Sequence, residues 1–105
     1  MISHLALFKL KPEVDEERIE WMTRETRIRL LKIPVVLGLR CGKSLEAGAP
    51  WPYFVAVEVE TREKLALYRE DPNHLGFVQD VLEPNTTARL DLNYEMEPGK
   101  DVLYS

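Results

Sequence analysis

Four segments of this 105-residue chain alternate apolar and polar residues with the two-residue period of β-strands. Two helical stretches separate them, which gives the order β-α-β-β-α-β. The predicted strands are 2–11, 35–43, 53–60 and 86–95, and the predicted helices are 13–32 and the pair 62–70 and 72–82. This order is typical of an α+β fold of the ferredoxin-like kind, with a four-stranded antiparallel sheet and helices on one face.

Proline and capping residues predict where the helices begin and end. Pro12 is expected to start the first helix, and Pro34 is expected to end it. Thr61 and Asp71 are predicted to cap the two short helices, with Pro72 at the first helical position of the second.

Apolar spacing predicts which side of each helix is buried. The first helix is expected to bury a stripe with a period of seven, widened by neighbours: Val14, Trp21, Ile28 and Leu31, with Ile19, Met22 and Leu30. The short helices are expected to bury Leu65 and Tyr68, then Leu75, Val78 and Leu82, flanked by Phe77 and Val81.

One face of the sheet is left without helices in this arrangement. We expect that open face to mix apolar and charged residues: Leu5, Leu7, Val36, Phe54 and Ala56 with Arg40, Glu58, Arg89 and Asp91. A monomer would expose this apolar area to water, which is unusual. The pattern therefore predicts a homodimer in which two sheets face each other.

Composition excludes several classes of function. A net charge of −4 and interleaved Glu and Arg residues argue against nucleic acid as a partner. Two histidines and one cysteine fall short of a usual metal site, and no glycine-rich phosphate loop or cofactor motif is present. Cys41 is expected to be a core residue rather than a nucleophile.

No apolar run reaches membrane-spanning length and the N-terminus lacks the pattern of a secretory signal, so the expectation is a soluble cytoplasmic protein with no membrane partner.

Residues 68–77, YREDPNHLGF, contain the most chemically suggestive side chains. With Asp71 as the cap, His74 lies at a helix N-terminus, where the helix dipole disfavours imidazolium. A neutral imidazole can act as a general base, and the Tyr68 phenol can donate to a carbonyl oxygen. His4 could orient a substrate. The alternative is structural: a capped histidine, a core tyrosine and a core strand histidine.

Three segments carry a family resemblance: HLALFKLKP at 4–12, IPVVLGLRCGKS at 33–44 and DPNHLGFV at 71–78. They resemble the stress-responsive α/β-barrel (Dabb) family, which implies a dimeric α+β barrel. One plant member is a polyketide cyclase that closes a ring without a metal or cofactor. The chain is similar to it at His4, Tyr68, His74, Gly76 and Phe77, and there the matching Tyr and His carry the chemistry. Two positions depart from the family pattern. Many members have a histidine where this chain has Asp71, and the cyclase has a histidine where this chain has Val55.

Three hypotheses for the function follow. The first is a dimeric protein with a small apolar ligand pocket between helices and sheet. The second is a cofactor-independent cyclase or isomerase for a carbonyl substrate, with His74 as base, Tyr68 as acid and His4 in support. The third is a structural stress protein that acts by oligomerisation. The first two predict ligand contacts from Phe8, Tyr53, Val55 and Phe77. The domain is predicted at 1–95, and 96–105 is either a free tail or an arm on the partner.

Overall fold

A computed structural model of the chain describes residues 1–97 and shows the predicted ferredoxin-like α+β fold. The elements are β1 (Ile2–Leu10), α1 (Glu16–Leu30), β2 (Gly38–Lys43), β3 (Tyr53–Val59), α2 (Arg62–Glu70), α3 (Pro72–Phe77), a π-helical turn (Val78–Leu82) and β4 (Thr86–Glu95). The sheet has the order β2-β3-β1-β4, and all three neighbouring pairs are antiparallel. β2 and β4 are therefore the edge strands.

The first helix begins three residues later than predicted. Asp15 is its N-cap and accepts a 2.8 Å hydrogen bond from the Arg18 backbone N–H. Pro12 instead lies in a turn closed by a 3.0 Å bond from the Val14 N–H to the Lys11 carbonyl. The expected start at Pro12 is wrong because the carboxylate of Asp15 satisfies the free backbone donors of the first turn.

The buried side of α1 also differs from the predicted stripe. Ile28 is 53% exposed and Leu31 is 54% exposed, whereas Met22, Thr26 and Leu30 are buried at a spacing of four. At 3.6 residues per turn, Ile28 lies roughly 200° around the helix from both Thr26 and Leu30, so the predicted stripe and the observed one are on different sides of α1. The buried face centres instead on Thr26, a polar residue that an apolar pattern does not reveal.

The second strand begins at Gly38 rather than at residue 35. Val36 belongs to the preceding turn, where its N–H donates to the Ile33 carbonyl, and its side chain packs against the core. Val36 therefore does not belong to the open face of the sheet, as had been expected.

The capping predictions for the two short helices are confirmed. Thr61 accepts from the Lys64 N–H at 3.2 Å, and Asp71 accepts from the Asn73 N–H at 2.8 Å, with Pro72 at the start of α3. Leu65 and Tyr68 are buried, as predicted.

The predicted continuous helix 72–82 is interrupted by a change of helical period. α3 ends at Phe77 and the π-helical turn follows. The buried residues of this stretch are Phe77, Val81 and Leu82. Leu75 is 56% exposed, so the expectation for Leu75 is wrong: it lies in α3, ahead of the π-helical turn, on the side of the helix away from the core.

The register of the strands determines which residues face the helices. Directly opposed residues on neighbouring strands share a face, and β1 buries alternate residues from Ile2 to Phe8 on the helix side. The core lies between this face and the helices. Its buried apolar members are Ile2, Ala6, Phe8, Met22, Leu30, Ile33, Tyr53, Val55, Val57, Val59, Leu65, Tyr68, Phe77, Val81 and Leu82.

The open face is more apolar than the sequence suggested. Phe8 pairs with Arg89 and Ala6 with Asp91, so these two charged residues lie on the helix side, contrary to the expectation. On the open side, Leu5 pairs with Leu92 and Leu7 with Leu90. β4 therefore contributes apolar residues to the open face and polar residues to the face that carries the helices.

The residues after β4 bear on the predicted boundary between the domain and the C-terminal tail. The Met96 N–H donates to the Met1 carbonyl at 2.7 Å, which extends the pairing of β4 with β1. Residues 98–105 lie outside the described part of the chain, so the division into a domain at 1–95 and a tail at 96–105 stays a prediction. No helix within residues 1–97 is long and apolar enough to cross a membrane.

Candidate functional site

The three residues predicted to be catalytic lie together on the helix side of the sheet. The His4 and Tyr68 rings are 6.1 Å apart between centroids, and the Tyr68 and His74 rings are 4.6 Å apart. They come from β1, α2 and α3, respectively. Tyr68 thus stands between the two histidines, and we refer to His4, Tyr68 and His74 as the site cluster.

The break at Asp71 and Pro72 places His74 over Tyr68. α2 ends at Glu70, and the capped start of α3 returns the chain toward the end of α2. Nδ1 of His74 then lies 3.0 Å from the backbone carbonyl oxygen of Arg69. A carbonyl oxygen only accepts, so Nδ1 carries the proton, and Nε2 of the neutral ring keeps a lone pair.

Burial lowers the pKa of His74, and the nearby cations add to this effect. Arg89, His4 and Arg69 each disfavour a further positive charge, while the hydrogen bond to the Arg69 carbonyl acts in the opposite direction. The imidazole is therefore neutral at pH 7, as expected from the sequence, but the main cause differs. The sequence pointed to a helix dipole, whereas the dominant cause is desolvation.

Tyr68 keeps its proton under ordinary conditions. The residue is only 2% exposed, and this burial raises the pKa of its phenol. Asp91 raises this pKa further, whereas Arg89 and Arg69 lower it. Within residues 1–97 the Tyr68 hydroxyl makes no hydrogen bond, and no fully buried side-chain polar atom there lacks a partner. The hydroxyl proton is therefore not engaged by a neighbour within the described residues.

His4 is held by a hydrogen-bond partner on the neighbouring strand β4. Its Nδ1 lies 2.6 Å from Oδ1 of Asn93, the residue opposite it on β4. Since an amide oxygen only accepts, Nδ1 of His4 also carries the proton in this arrangement. Both histidines of the cluster are thus oriented through Nδ1.

Arg89 and Asp91 belong to the surroundings of the cluster, although sequence reasoning placed them on the other face. They form an ion pair at 2.8 Å on the helix side of β4. Both influence the pKa of Tyr68, and Arg89 influences that of His74. Only the register of β4 against β1 reveals this position, because alternation alone does not say which side faces the helices.

The predicted ligand contacts lie mostly in packed core. Phe8, Tyr53 and Val55 are almost fully buried, and the Phe8 and Tyr53 rings are 6.3 Å apart. The Tyr53 hydroxyl lies 3.0 Å from the Thr26 hydroxyl, and burial raises the pKa of Tyr53 to about 12. Phe77 is buried as well. None of these four lines the groove between α2 and β4, and their contact with a ligand stays a prediction.

A groove of about 320 Å³ lies between α2 and the end of β4. Its walls are formed by Ile2, Arg62, Leu65, Ala66, Arg69, Asn93, Tyr94 and Glu95. Arg69 is the backbone partner of His74, and Asn93 is the side-chain partner of His4. The groove therefore meets the site cluster only through the residues that hold the two histidines, because His4, Tyr68 and His74 themselves do not line it.

Other reactive side chains of the described region do not form a second centre. Cys41 is half-buried, and burial raises the pKa of its thiol, in line with the expected core position. Within residues 1–97, no group of three or more His, Cys, Asp or Glu side chains is arranged to hold a metal ion.

Comparison with known proteins identifies the family. The family model described as the stress responsive A/B barrel domain, Dabb, matches residues 2–96. The chain belongs to this family. The resemblance of its three sequence segments is therefore confirmed, and the match spans every element of the Dabb fold described above. No curated protein matches the chain.

Several solved structures share the fold of this Dabb chain. A dimeric ferredoxin-like protein of unknown function from Thermobifida fusca is 19% identical, with a TM-score of 0.81 and 90% of each chain covered. A Dabb family protein from Mesorhizobium loti is 19% identical, with a TM-score of 0.79 and coverage of 91% and 96%. The hydroxynitrile lyase of Passiflora edulis is 12% identical, with a TM-score of 0.78 and coverage of 95% and 96%. At these identities the likeness shows the fold alone.

Proposed function

We propose that this Dabb protein binds a small carbonyl-containing molecule in the groove beside the site cluster. The observation that carries the proposal is that Arg69 and Asn93 line the groove and also hold His74 and His4. A ligand in the groove thus contacts the residues that orient the two imidazoles. Leu65 and Ala66 supply an apolar wall, as small-molecule sites usually require.

A second candidate function is proton transfer on that ligand without a cofactor. His74 favours it, because its Nε2 lone pair belongs to a neutral ring held next to the protonated Tyr68 hydroxyl. Nε2 takes a proton from the carbon beside the carbonyl, and the electron pair of that C–H bond moves to the carbonyl oxygen. The Tyr68 hydroxyl donates a hydrogen bond to this enolate oxygen, and the imidazolium then returns a proton to carbon.

The relatives give this second candidate limited support. The Passiflora edulis neighbour is named a hydroxynitrile lyase, so one protein of this fold is an enzyme. Its 12% identity carries no substrate over to this chain. The support for catalysis comes instead from the local geometry of His74 and Tyr68.

Acetophenone serves as a probe for both proposals. We expect its addition to shift the backbone amide signals of Leu65, Ala66 and Asn93 in a saturable way. Ala66→Trp should block this binding by filling the groove. Leu67→Trp is the matched control, because Leu67 is exposed on the same helix and does not line the groove. Equal binding by both variants, or no saturable binding by the wild type, would contradict the ligand site.

Proton transfer has its own readout with the same probe. In D₂O, the wild-type protein should accelerate deuterium exchange at the methyl group of acetophenone, followed by proton NMR. His74→Gln should return the exchange rate to the uncatalysed value, and Tyr68→Phe should lower it. If exchange with the wild type equals that with His74→Gln, the protein binds the carbonyl compound without acting on it. Lack of both binding and exchange would favour the structural role by oligomerisation.

We also propose that the protein is a homodimer whose two open sheet faces pack together. The open face presents a row of leucines, from Leu5 and Leu7 on β1 to Leu90 and Leu92 on β4. The Thermobifida fusca neighbour of the same fold is described as dimeric. Light scattering should give twice the chain mass of 12.2 kDa. A monomer at micromolar concentration would contradict this assembly.

A further inference from the structure

Arg69 faces both the site cluster and the groove. Its backbone carbonyl accepts the hydrogen bond from His74, the residue lines the groove, and its charge acts on the His74 imidazole. The residue is exposed at the surface of α2, and within residues 1–97 its guanidinium makes no ion pair. Several other cations of the described region are paired, including Arg29, Lys64 and Arg89. The Arg69 guanidinium is therefore a free cation beside His74.

The two ends of the groove differ in charge. Arg62 follows β3, whose last residue, Val59, pairs with Ile2, and Ile2 pairs in turn with Glu95. Arg62 and Glu95 therefore lie at the same end of the groove, where the negative charge of Glu95 offsets the positive charge of Arg62. Arg69 lies seven residues further along α2, roughly 10 Å away at 1.5 Å per residue. The uncompensated positive charge is at the end that adjoins His74.

On α2, the groove wall between the two arginines is apolar, because Leu65 and Ala66 form it. Asn93 on β4 adds a polar group to the opposite wall. A ligand in the groove thus meets hydrocarbon along the α2 wall and a guanidinium at one end. Guanidinium groups bind carboxylates through two parallel hydrogen bonds, which also fixes the orientation of the ligand.

We propose that the groove selects small molecules with a carboxylate, which Arg69 binds, and an apolar part that lies over Leu65 and Ala66. This inference rests on the proposed ligand site and specifies its ligand class. The carboxylate is held at the end beside His74, so the carbon atoms close to it are the ones nearest the imidazole. The ligand class is accordingly an oxo acid or a related carbonyl-containing acid with a short hydrocarbon chain.

Hexanoate and hexan-1-ol are a matched pair of probes, because they share a chain length and differ in the charged group. We expect hexanoate to shift the amide signals of Leu65, Ala66 and Asn93 and to bind about five-fold tighter than hexan-1-ol, since exposed ion pairs are weak. Arg69→Gln keeps the backbone carbonyl that His74 needs. This variant should bind hexanoate and hexan-1-ol with equal affinity. Arg62→Gln is the control and should keep most of the preference for hexanoate.

The titration of His74 gives a second readout. A carboxylate bound at Arg69 offsets a charge that lowers the pKa of His74. Saturating hexanoate should therefore raise this pKa, measured from the imidazole proton signals, in the wild type and not in Arg69→Gln. Hexan-1-ol should leave it unchanged.

The outcomes separate this inference from the proposed function. Saturable binding of both probes with equal affinity would overturn the role of Arg69 and leave the ligand site standing. Absence of binding by either probe, together with absence of acetophenone binding, would remove the ligand site as well. A preference for hexanoate that survives in Arg69→Gln would also overturn the assignment.

Discussion

Nδ1 of His74 donates to the backbone carbonyl of Arg69 across the break between α2 and α3. The bond closes a loop over residues 69–74, in which Asp71 caps the next helix. It assigns the ring proton to Nδ1, so the basic atom of the neutral imidazole is Nε2. The bond therefore joins a turn that is explained by helix capping to a side chain with the properties of a general base.

The lowered pKa of His74 makes stability depend on pH. Because burial and the charges of Arg89, His4 and Arg69 disfavour imidazolium, the folded protein binds a proton at His74 less readily than the unfolded chain. The unfolded pKa is about 6.5. The stabilising effect of the neutral ring is fully present above that pH and is lost as the pH falls through 6.5 toward the folded pKa.

His74→Gln should remove this part of the pH dependence. Urea unfolding at a series of pH values between 5 and 7.5 would show a smaller loss of the free energy of unfolding at low pH for the variant than for the wild type. Parallel pH profiles for the two proteins would mean that His74 is not the group responsible.

Loss of the Asp71 cap should disturb His74 as well as α3. Asp71→Ala removes the acceptor for the Asn73 N–H, and N-cap substitutions of this kind cost about 1 kcal/mol of stability. The loosened turn should also raise the pKa of His74 toward its usual value, because the ring becomes more hydrated.

A second cap provides the matched control for that effect. Thr61→Ala removes the cap of α2, whose partner is the Lys64 N–H, and should cost a similar free energy. It should leave the NMR titration of His74 unchanged. An equal change of the His74 pKa in both variants would show that general destabilisation, rather than the turn, controls the imidazole.

The sequence was most informative where local chemistry decides the structure. Alternation located the strands, and the side chains of Thr61 and Asp71 marked the helix starts. Asp15 caps the first helix in the same way, although the helix was expected to start at Pro12. Thr26 could not be recognised as a centre of the core, because its burial depends on hydrogen bonds to the Met22 carbonyl and the Tyr53 hydroxyl.

The site could be predicted only in part, because long-range pairing builds the rest of it. Tyr68 and His74 are close in sequence, and the break between them signalled their proximity. Asn93 holds His4 from 89 positions away. Arg89 and Asp91 depend on the register of β4, and a shift of one residue would move both to the opposite face.

Arg29 should stabilise the packing of α3 and the π-helical turn against α1. Its guanidinium donates to the Gly76 carbonyl at 3.2 Å and to Asp80 at 2.7 Å, and it also pairs with Glu25. Arg29→Ala should lower the free energy of unfolding by about 1 kcal/mol, as expected for loss of a partly buried hydrogen-bonded charge. Denaturant unfolding measures the change.

Lys64 offers a control for Arg29, since its pair with Glu60 is an exposed one within a single turn. Lys64→Ala should change the free energy of unfolding by no more than about 0.5 kcal/mol. Equal effects of the two substitutions would show that the Arg29 network is no stronger than a surface ion pair.

Charge on the open face should dissociate the proposed dimer without unfolding the chain. Leu92 pairs with Leu5 across β1 and β4, and its side chain points away from the helices. In a face-to-face dimer, Leu92→Lys in each copy would bury an unpaired charge, which is costly. The variant should have the mass of a monomer in light scattering and keep its helical and strand circular dichroism.

Leu67→Lys places the same charge on the exposed side of α2 and should stay dimeric, because that helix lies on the other face of the sheet. A dimer that persists in Leu92→Lys and dissociates in Leu67→Lys would place the interface on the helices instead.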